Sequence, residues 1–326
     1  MFVELLKMTR PKNIVIAIIT LVVGFMLLYS DSFFPPNNCN SDLDWVGISC
    51  VDWGSWLVIV IEALAFAFAI GFANIQNDIL DLESDKMNRP ERPLVTGKVS
   101  VKAARRAWII MFALMLLCGL GATILQNYGQ FEPRYIAITF QLWFFALLGA
   151  LLIAYNKWLK HIPLLKNMTV ALLCTTPLLF VLLYFSWFPK SAGVLWRMWA
   201  IIPEIPFAFL LTTAREIYKD LEDETGDLKA GIMTFPLIAG SATARRLAGA
   251  IILFTWISLP LPVFYMDKVF GHNYPPLFLI ITGIALTPTF AIILFSAHRK
   301  NYRRAQSLTK VAMFAGLIAL IVCTFL

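Results

Sequence analysis

The sequence predicts an all-α, polytopic membrane protein: nine transmembrane helices in one bundle, forming a single domain over residues 1–326. Three observations carry that prediction. Hydrophobic residues make up 59% of the chain and charged residues 14%, with a mean hydropathy of +0.74, which lies outside the range of soluble globular domains. The apolar residues gather in long uncharged blocks near the ~20 residues that a bilayer crossing requires, where a lipid-facing barrel would alternate instead. Lys and Arg are shared unequally between the two sets of loops that such helices define.

In chain order, uncharged blocks run from Asn13 to Ser30, Ala107 to Phe131, Tyr135 to Asn156, Asn167 to Pro189, Leu247 to Met266, Asn273 to Ala297 and Val311 to Leu326. Two more, Trp53 to Gln76 and Met198 to Ala214, are apolar but each holds one acid, Glu62 and Glu204. The opening "KMTRPK" resembles the start of a signal peptide, but the block after it exceeds an h-region and no small-residue cleavage site closes it, so it is expected to be the first span. With the N-terminus inside, the inner loops hold 23 of the 27 Lys and Arg, leaving Arg134, Lys190, Arg197 and Lys268 outside. That asymmetry places the N-terminus on the cytoplasmic face of the cell membrane. The net charge of +7 then reads as topology and as a surface facing anionic lipid, with no sign of a nucleic-acid partner.

Of the five cysteines, Cys118, Cys174 and Cys323 fall in spans, where they read as small hydrophobes. Cys39 and Cys50 share an outer loop, so they form the one pair for which a disulfide is open. Phe33, Phe34, Trp45 and Trp53 around them read as an interfacial aromatic belt.

The longest inner loops follow the second and sixth spans, over about 78–106 and 215–246, and each opens on acids. Matching positions four spans apart suggest two halves related by duplication. In "NDILDLESDKMNRPERPLVTGK", Asn77, Asp81 and Asp85 fall on one helical stripe with Asp78 at its margin. In "REIYKDLEDETGD", Glu216, Asp220, Asp223 and Asp227 lie within about 60° of one another on a helical wheel. Like charges at i and i+4 destabilise a helix, so such stripes need a counter-charge. Basic side chains are one, and divalent cations a stronger one. With three His in the chain and none in either cluster, an all-oxygen donor set suits Mg²⁺, or Mn²⁺, and disfavours zinc and copper. Two acidic stripes on one membrane face then read as a clamp for a phosphorylated ligand held through metal. A solvated acidic loop balancing the inner Lys and Arg is the other reading.

On these residues the sequence resembles the UbiA-type superfamily of intramembrane prenyltransferases. Asn77, Asp78, Asp81 and Asp85 match its first motif, and "NRPERPLVTGKVS" is similar to its N-R-P-x-x-S-G segment, with Thr96 where Ser is commoner. Glu216, Asp220, Asp223 and Asp227 match the second motif, with Glu216 replacing the Asp that opens it in quinone-pathway members, which argues against that branch. "YNKWLKHIPLLKN", Tyr155 to Asn167, resembles the inner loop after the family's fourth helix, with Lys166 where Gly is expected. Within the superfamily these segments look most like the branch that etherifies geranylgeranylglyceryl phosphate.

The resemblance implies Mg²⁺-dependent transfer of a polyprenyl group, as geranylgeranyl, from its diphosphate to a glycerol-phosphate ether lipid. It implies that Asn77, Asp78, Asp81, Asp85, Glu216, Asp220, Asp223 and Asp227 hold metal, with Tyr155 and Lys160 also at the reaction centre. Lys157, Lys160, Lys219 and Arg215 are the candidates to bind the diphosphate through charge-assisted hydrogen bonds. Arg89, Arg92 and Lys98 offer a basic pocket for an acceptor phosphate, in a segment that Pro90 and Pro93 keep turn-like, although the positive-inside rule alone would also put them there. Glu204, between Pro203 and Pro206, reads either as a base for the acceptor hydroxyl or as a structural acid at a kinked helix. Two other functions stay open. An aromatic prenyltransferase of quinone, tocopherol or haem type would use a ring acceptor. A cation transporter would run ionisable residues through the membrane, where only Glu62 and Glu204 stand.

Overall fold

The computed structural model describes residues 2–28, 53–127, 135–187, 201–229, 231–265, 267–268 and 274–323. Among them there are helices and turns and no strand. Cys39 and Cys50, the aromatic residues 33, 34 and 45, and Arg134, Lys190 and Arg197 lie outside the described residues.

Helices α1 (Phe2–Met8) and α2 (Pro11–Leu28) come first. They are followed by α3 (Trp53–Leu80), α4 (Leu82–Asn88), α5 (Val101–Asn127), α6 (Tyr135–Lys157) and α7 (Leu165–Trp187). The second half of the chain gives α8 (Glu204–Lys229), α9 (Phe235–Ala239), α10 (Ser241–Ser258), α11 (Pro260–Tyr265), α12 (Pro276–Leu279), α13 (Leu286–His298) and α14 (Tyr302–Cys323). Among the described residues seven helical stretches are long and apolar enough to cross a membrane, or eight if α1 and α2, bent by 59°, count as one. The sixth of the nine expected spans is the exception. Its described part joins α8, which begins at Glu204 and carries Arg215, Glu216, Lys219 and Asp220 in its next turns, too many charges for a lipid-facing stretch. Glu204 is the first residue of α8, directly after a two-residue turn that follows helical Ile201.

Two compact units divide the chain. The first contains α1, most of α2, and α3 to α6. Its core is aromatic: Phe66 meets Phe145 edge-on at 5.2 Å and Phe72 meets Phe112 at 5.3 Å, geometries that ring quadrupoles favour. Gly149 lets α6 press against α5, since a Cβ there would sit 2.8 Å from Met115 Cε. Glu62 of α3 is buried.

Asn156 ties α6 to α3, donating to Ala73 O at 2.8 Å and to Gln76 Oε1 at 2.9 Å. Both side chains are buried. Asn156→Leu keeps the volume but strands two buried acceptors, so stability should fall by about 1–3 kcal/mol. Thermal unfolding in detergent reads the loss, and an unchanged midpoint would remove Asn156 from the packing account.

The second unit contains the end of α2 and α7 to α14. On α8, Leu211, Ala214, Ile217, Tyr218 and Leu221 recur at helical spacing and are buried. They pack on Ala244, Ala248 and Ile252 of α10, on Phe290, Ile293 and Ala297 of α13, and on Ala305 and Ala312 of α14. Alanine rows let the backbones approach closely, which supplies van der Waals contact where lipid gives no hydrophobic drive. This packing fixes the rotation of α8 and so decides where its acids face.

Candidate active site

The first half is built where α3 stops. Leu80 is its last residue, Asp81 turns out of helical geometry at φ −92° and ψ 9°, and α4 restarts at Leu82. The predicted stripe through Asn77, Asp81 and Asp85 is thus broken at Asp81. Asp78, expected at the margin, shares a cation with Asp85. Arg92 Nη1 donates to Asp78 Oδ1 at 2.9 Å and also to Asp85 Oδ2. Asp78 and Asp85 are buried, while Asn77 and Asp81 are half-buried.

Arg92 is held inward by its own loop. Leu94 and Val99 bury against Met8, Ile75 and Ala104, Val99 N–H bonds Pro93 O at 3.2 Å, and Gly97 takes the left-handed φ of +72° that the turn requires. On the other side, Arg10 occupies the corner between α1 and α2 with φ 56°, a conformation costing an L-residue about 1 kcal/mol. Asn74 of α3 fixes that corner by donating to Thr9 O at 3.2 Å, and Arg10 Nη2 comes within 3.6 Å of Asp78 Oδ1. Arg89, Arg92 and Lys98 line one cavity of about 410 Å³ with Asp78, Lys7 and Arg10. Five of its lining residues are basic and three acidic.

The second half is built on α8 and the start of α7. Leu164, at φ 63°, turns the chain so that Lys166 and Asn167 enter the first turn of α7 facing Asp220. Lys166 Nζ lies 2.7 Å from Asp220 Oδ1, and Asn167 Nδ2 donates to Asp220 Oδ2 at 2.9 Å. Both oxygens of this buried carboxylate are therefore held by side chains. Among the described residues Asn167 Oδ1 is buried without a hydrogen-bond partner, an acceptor open to a ligand. Because α8 is unbroken, the predicted phase of its acids is kept, but burial divides them. Glu216, paired with Arg215, and Asp220 are buried, Asp227 is half-buried and Asp223 exposed. Burial raises the Asp227 carboxyl above its ordinary range, Lys166 opposes that rise, and Asp220 and Asp223 add to it. Lys219, Tyr155 and Lys160 are half-buried; Lys157 is exposed and lies 5.7 Å above the Trp158 ring.

Among the described residues no three His, Cys, Asp or Glu come close enough to hold a metal ion alone. The donors nevertheless suit Mg²⁺. Asp78 and Asp85 converge on one cationic atom, all donors are oxygens, and Mg²⁺ takes one or two carboxylates and completes its shell with water and phosphate oxygens. The seven acids and one amide expected to hold metal would thus act a few at a time, together with a phosphorylated ligand. Four contributors were not in the predicted site: Lys7, Arg10, Lys166 and Asn167. Lys7 and Arg10 read as positive-inside residues, and Lys166 showed itself only as a departure from an expected Gly.

Apolar helices of membrane length define a membrane-embedded helical protein, in which carboxylates of α3, α4 and α8 are paired with basic side chains. A family model, the UbiA prenyltransferase family, matches residues 46–318. The chain belongs to the UbiA prenyltransferase family. It is 31% identical over 316 residues to digeranylgeranylglyceryl phosphate synthase of Methanopyrus kandleri, covering 96% of each chain. It is 28% identical to the enzyme of that name from Methanobrevibacter smithii, over 98% of this chain and 97% of the other. Its fold is similar to a solved structure of digeranylgeranylglyceryl phosphate synthase, with TM-score 0.67, 23% identity and coverage of 99% and 98%. It is also similar to a UbiA homologue from Archaeoglobus fulgidus bound to GPP and Mg²⁺, with TM-score 0.58, 16% identity and coverage of 97% and 99%.

Proposed function

We propose that this protein transfers a geranylgeranyl group from its diphosphate to the free hydroxyl of a glycerol-phosphate ether lipid, geranylgeranylglyceryl phosphate. The observation that carries the reading is the cavity beside Asp78, whose five basic side chains suit an acceptor that brings its own phosphate. Relatives aligned over nearly the whole chain bear the name of that activity, which supports the same acceptor. An aromatic ring acceptor would give a cavity of this charge less to bind.

In this reading the allylic C–O bond breaks with its electron pair leaving on diphosphate, and the acceptor oxygen bonds to the freed carbon as its proton is lost. Asn77, Asp78, Asp81 and Asp85 in one half, with Glu216, Asp220, Asp223 and Asp227 in the other, would hold Mg²⁺ jointly with the diphosphate. Bound there, the metal offsets the charge gathering on the leaving group. Lys157, Lys160, Lys219 and Arg215 would hold diphosphate oxygens, with Tyr155 beside them, and the apolar spans would line the prenyl tail at about 0.8 kcal/mol per buried CH₂. Both units then act as one domain, with nine spans and with the N-terminus and both acidic motifs at the cytoplasmic surface.

The test is a product analysis. Purified protein with Mg²⁺, geranylgeranyl diphosphate and a panel of acceptors should give an ether of geranylgeranylglyceryl phosphate by mass. Alkylation of a hydroxybenzoate or naphthoate instead would establish the aromatic reading. EDTA should abolish product formation and excess Mg²⁺ restore it; full activity in EDTA would remove the metal from the mechanism.

A further inference from the structure

Lys166 opposes its own helix. A cation in the first turn of α7 faces the positive end of the helix dipole, so something other than helix stability holds it there. What it touches is Asp220, at 2.7 Å, with Asn167 on the other oxygen. The same ammonium group also acts on Asp227, as do Lys219 and the carboxylates of Asp220 and Asp223. The side chain is 22% exposed and the Asp220 carboxylate 5%. Asp220 thus has its charge cancelled and both oxygens engaged by this chain alone, in the position where the proposed function asks it to hold metal.

Resting on that function, we propose that Lys166 is a resident cation of the second motif, which keeps divalent metal off Asp220 until a diphosphate arrives to take the ammonium in exchange. The exchange balances. Lys166 leaves one anionic oxygen for another, and Asp220 gains a metal that the diphosphate also binds. A lysine suits the task, because its compact charge on a flexible stem can change partners, whereas a guanidinium fixes two bonds at once. Arg92 illustrates the second case on the first motif, where one guanidinium bridges Asp78 and Asp85. The consequence is conditional loading: metal binds tightly at the second motif only together with diphosphate, and the motif does not collect metal from the cytosol when no donor is present.

The test measures protein-bound Mn²⁺ by electron paramagnetic resonance on the full chain in detergent, with and without inorganic pyrophosphate. Pyrophosphate should tighten Mn²⁺ binding to the unaltered protein. Lys166→Ala should bind Mn²⁺ without pyrophosphate about tenfold more tightly than the unaltered protein, since a unit charge a few ångströms away has been removed, and should gain less from pyrophosphate. Lys166→Arg should bind Mn²⁺ alone as weakly as the unaltered protein, and Lys166→Met stands in for Ala if the smaller side chain unfolds the corner. Equal or weaker Mn²⁺ binding by Lys166→Ala and Lys166→Met without pyrophosphate overturns the inference and leaves the proposed function standing. Absence of Mn²⁺ binding to the unaltered protein in both conditions overturns the metal reading itself.

Discussion

Asp81→Ala and Asp220→Ala should each reduce kcat by about a thousandfold, the cost of removing a group that stabilises charge on a leaving group in a water-poor site. The two variants should differ in stability. Asp81 is half-buried at the break after α3, and what holds the break locally is its main chain: Asp81 N–H bonds Asn77 O at 2.9 Å, and Ser84 Oγ donates to Asp81 O at 2.9 Å. Alanine keeps both bonds, so Asp81→Ala should lose turnover with a smaller fall in unfolding temperature than Asp220→Ala. Asp220→Ala removes the partner of Lys166 and Asn167 in a buried setting, so it should lose turnover and melt earlier. Asp220→Asn separates the two effects, because it keeps an acceptor for Lys166 while removing the charge. The checks are single-turnover kinetics with geranylgeranyl diphosphate and thermal unfolding of each variant. Near-normal turnover in Asp81→Ala would show that the first motif does not carry the metal.

The spans were legible in the sequence because lipid leaves only one way to satisfy a buried backbone, and eight of the nine expected blocks have a described helix that matches. The sixth was not legible as a structural unit, since its apolar residues lead directly into the charged turns of α8. The acids of α8 kept their predicted phase because the helix runs on without a break. Those of the first motif did not, and the reason is tertiary. Nothing in residues 77–85 forbids a helix, so periodicity extends it through Asp81. What stops it is the loop of residues 89–100, which Leu94 and Val99 pin against Met8, Ile75 and Ala104. That tertiary contact pulls Arg92 between Asp78 and Asp85, and it depends on residues separated along the chain by some ninety positions. The partners of the site were hidden for a related reason. Arg10 and Lys166 meet their acids only because Arg10 and Leu164 take left-handed corners, which no residue preference announces at an Arg or a Leu.

Arg92→Ala is the second large effect expected, and its nature follows from burial. As a headgroup ligand, Arg92 would weaken the phosphorylated acceptor alone when removed. It also carries a buried bridge: its side chain is 13% exposed and its guanidinium joins two carboxylates that are 7% and 9% exposed. Removing it leaves Asp78 and Asp85 facing each other without their bridge, with Arg10 at 3.6 Å as the remaining cation on Asp78. Breaking a buried pair from one side costs about 3–5 kcal/mol, so Arg92→Ala should melt much earlier than the unaltered protein and lose affinity for donor and acceptor together. Arg92→Lys should recover part of the stability, because an ammonium restores the positive charge between the two carboxylates on a shorter, differently shaped side chain. Arg89 and Lys98 are exposed on the same cavity, so Arg89→Ala and Lys98→Ala should leave the melting temperature unchanged and raise KM for the phosphorylated acceptor by about tenfold each, as loss of a charge-assisted hydrogen bond does. Steady-state kinetics in both substrates, set beside thermal unfolding, separates the two roles. An Arg92→Ala protein of normal stability, impaired only toward the acceptor, would return Arg92 to the headgroup and leave the break at Asp81 to be explained by the loop packing alone.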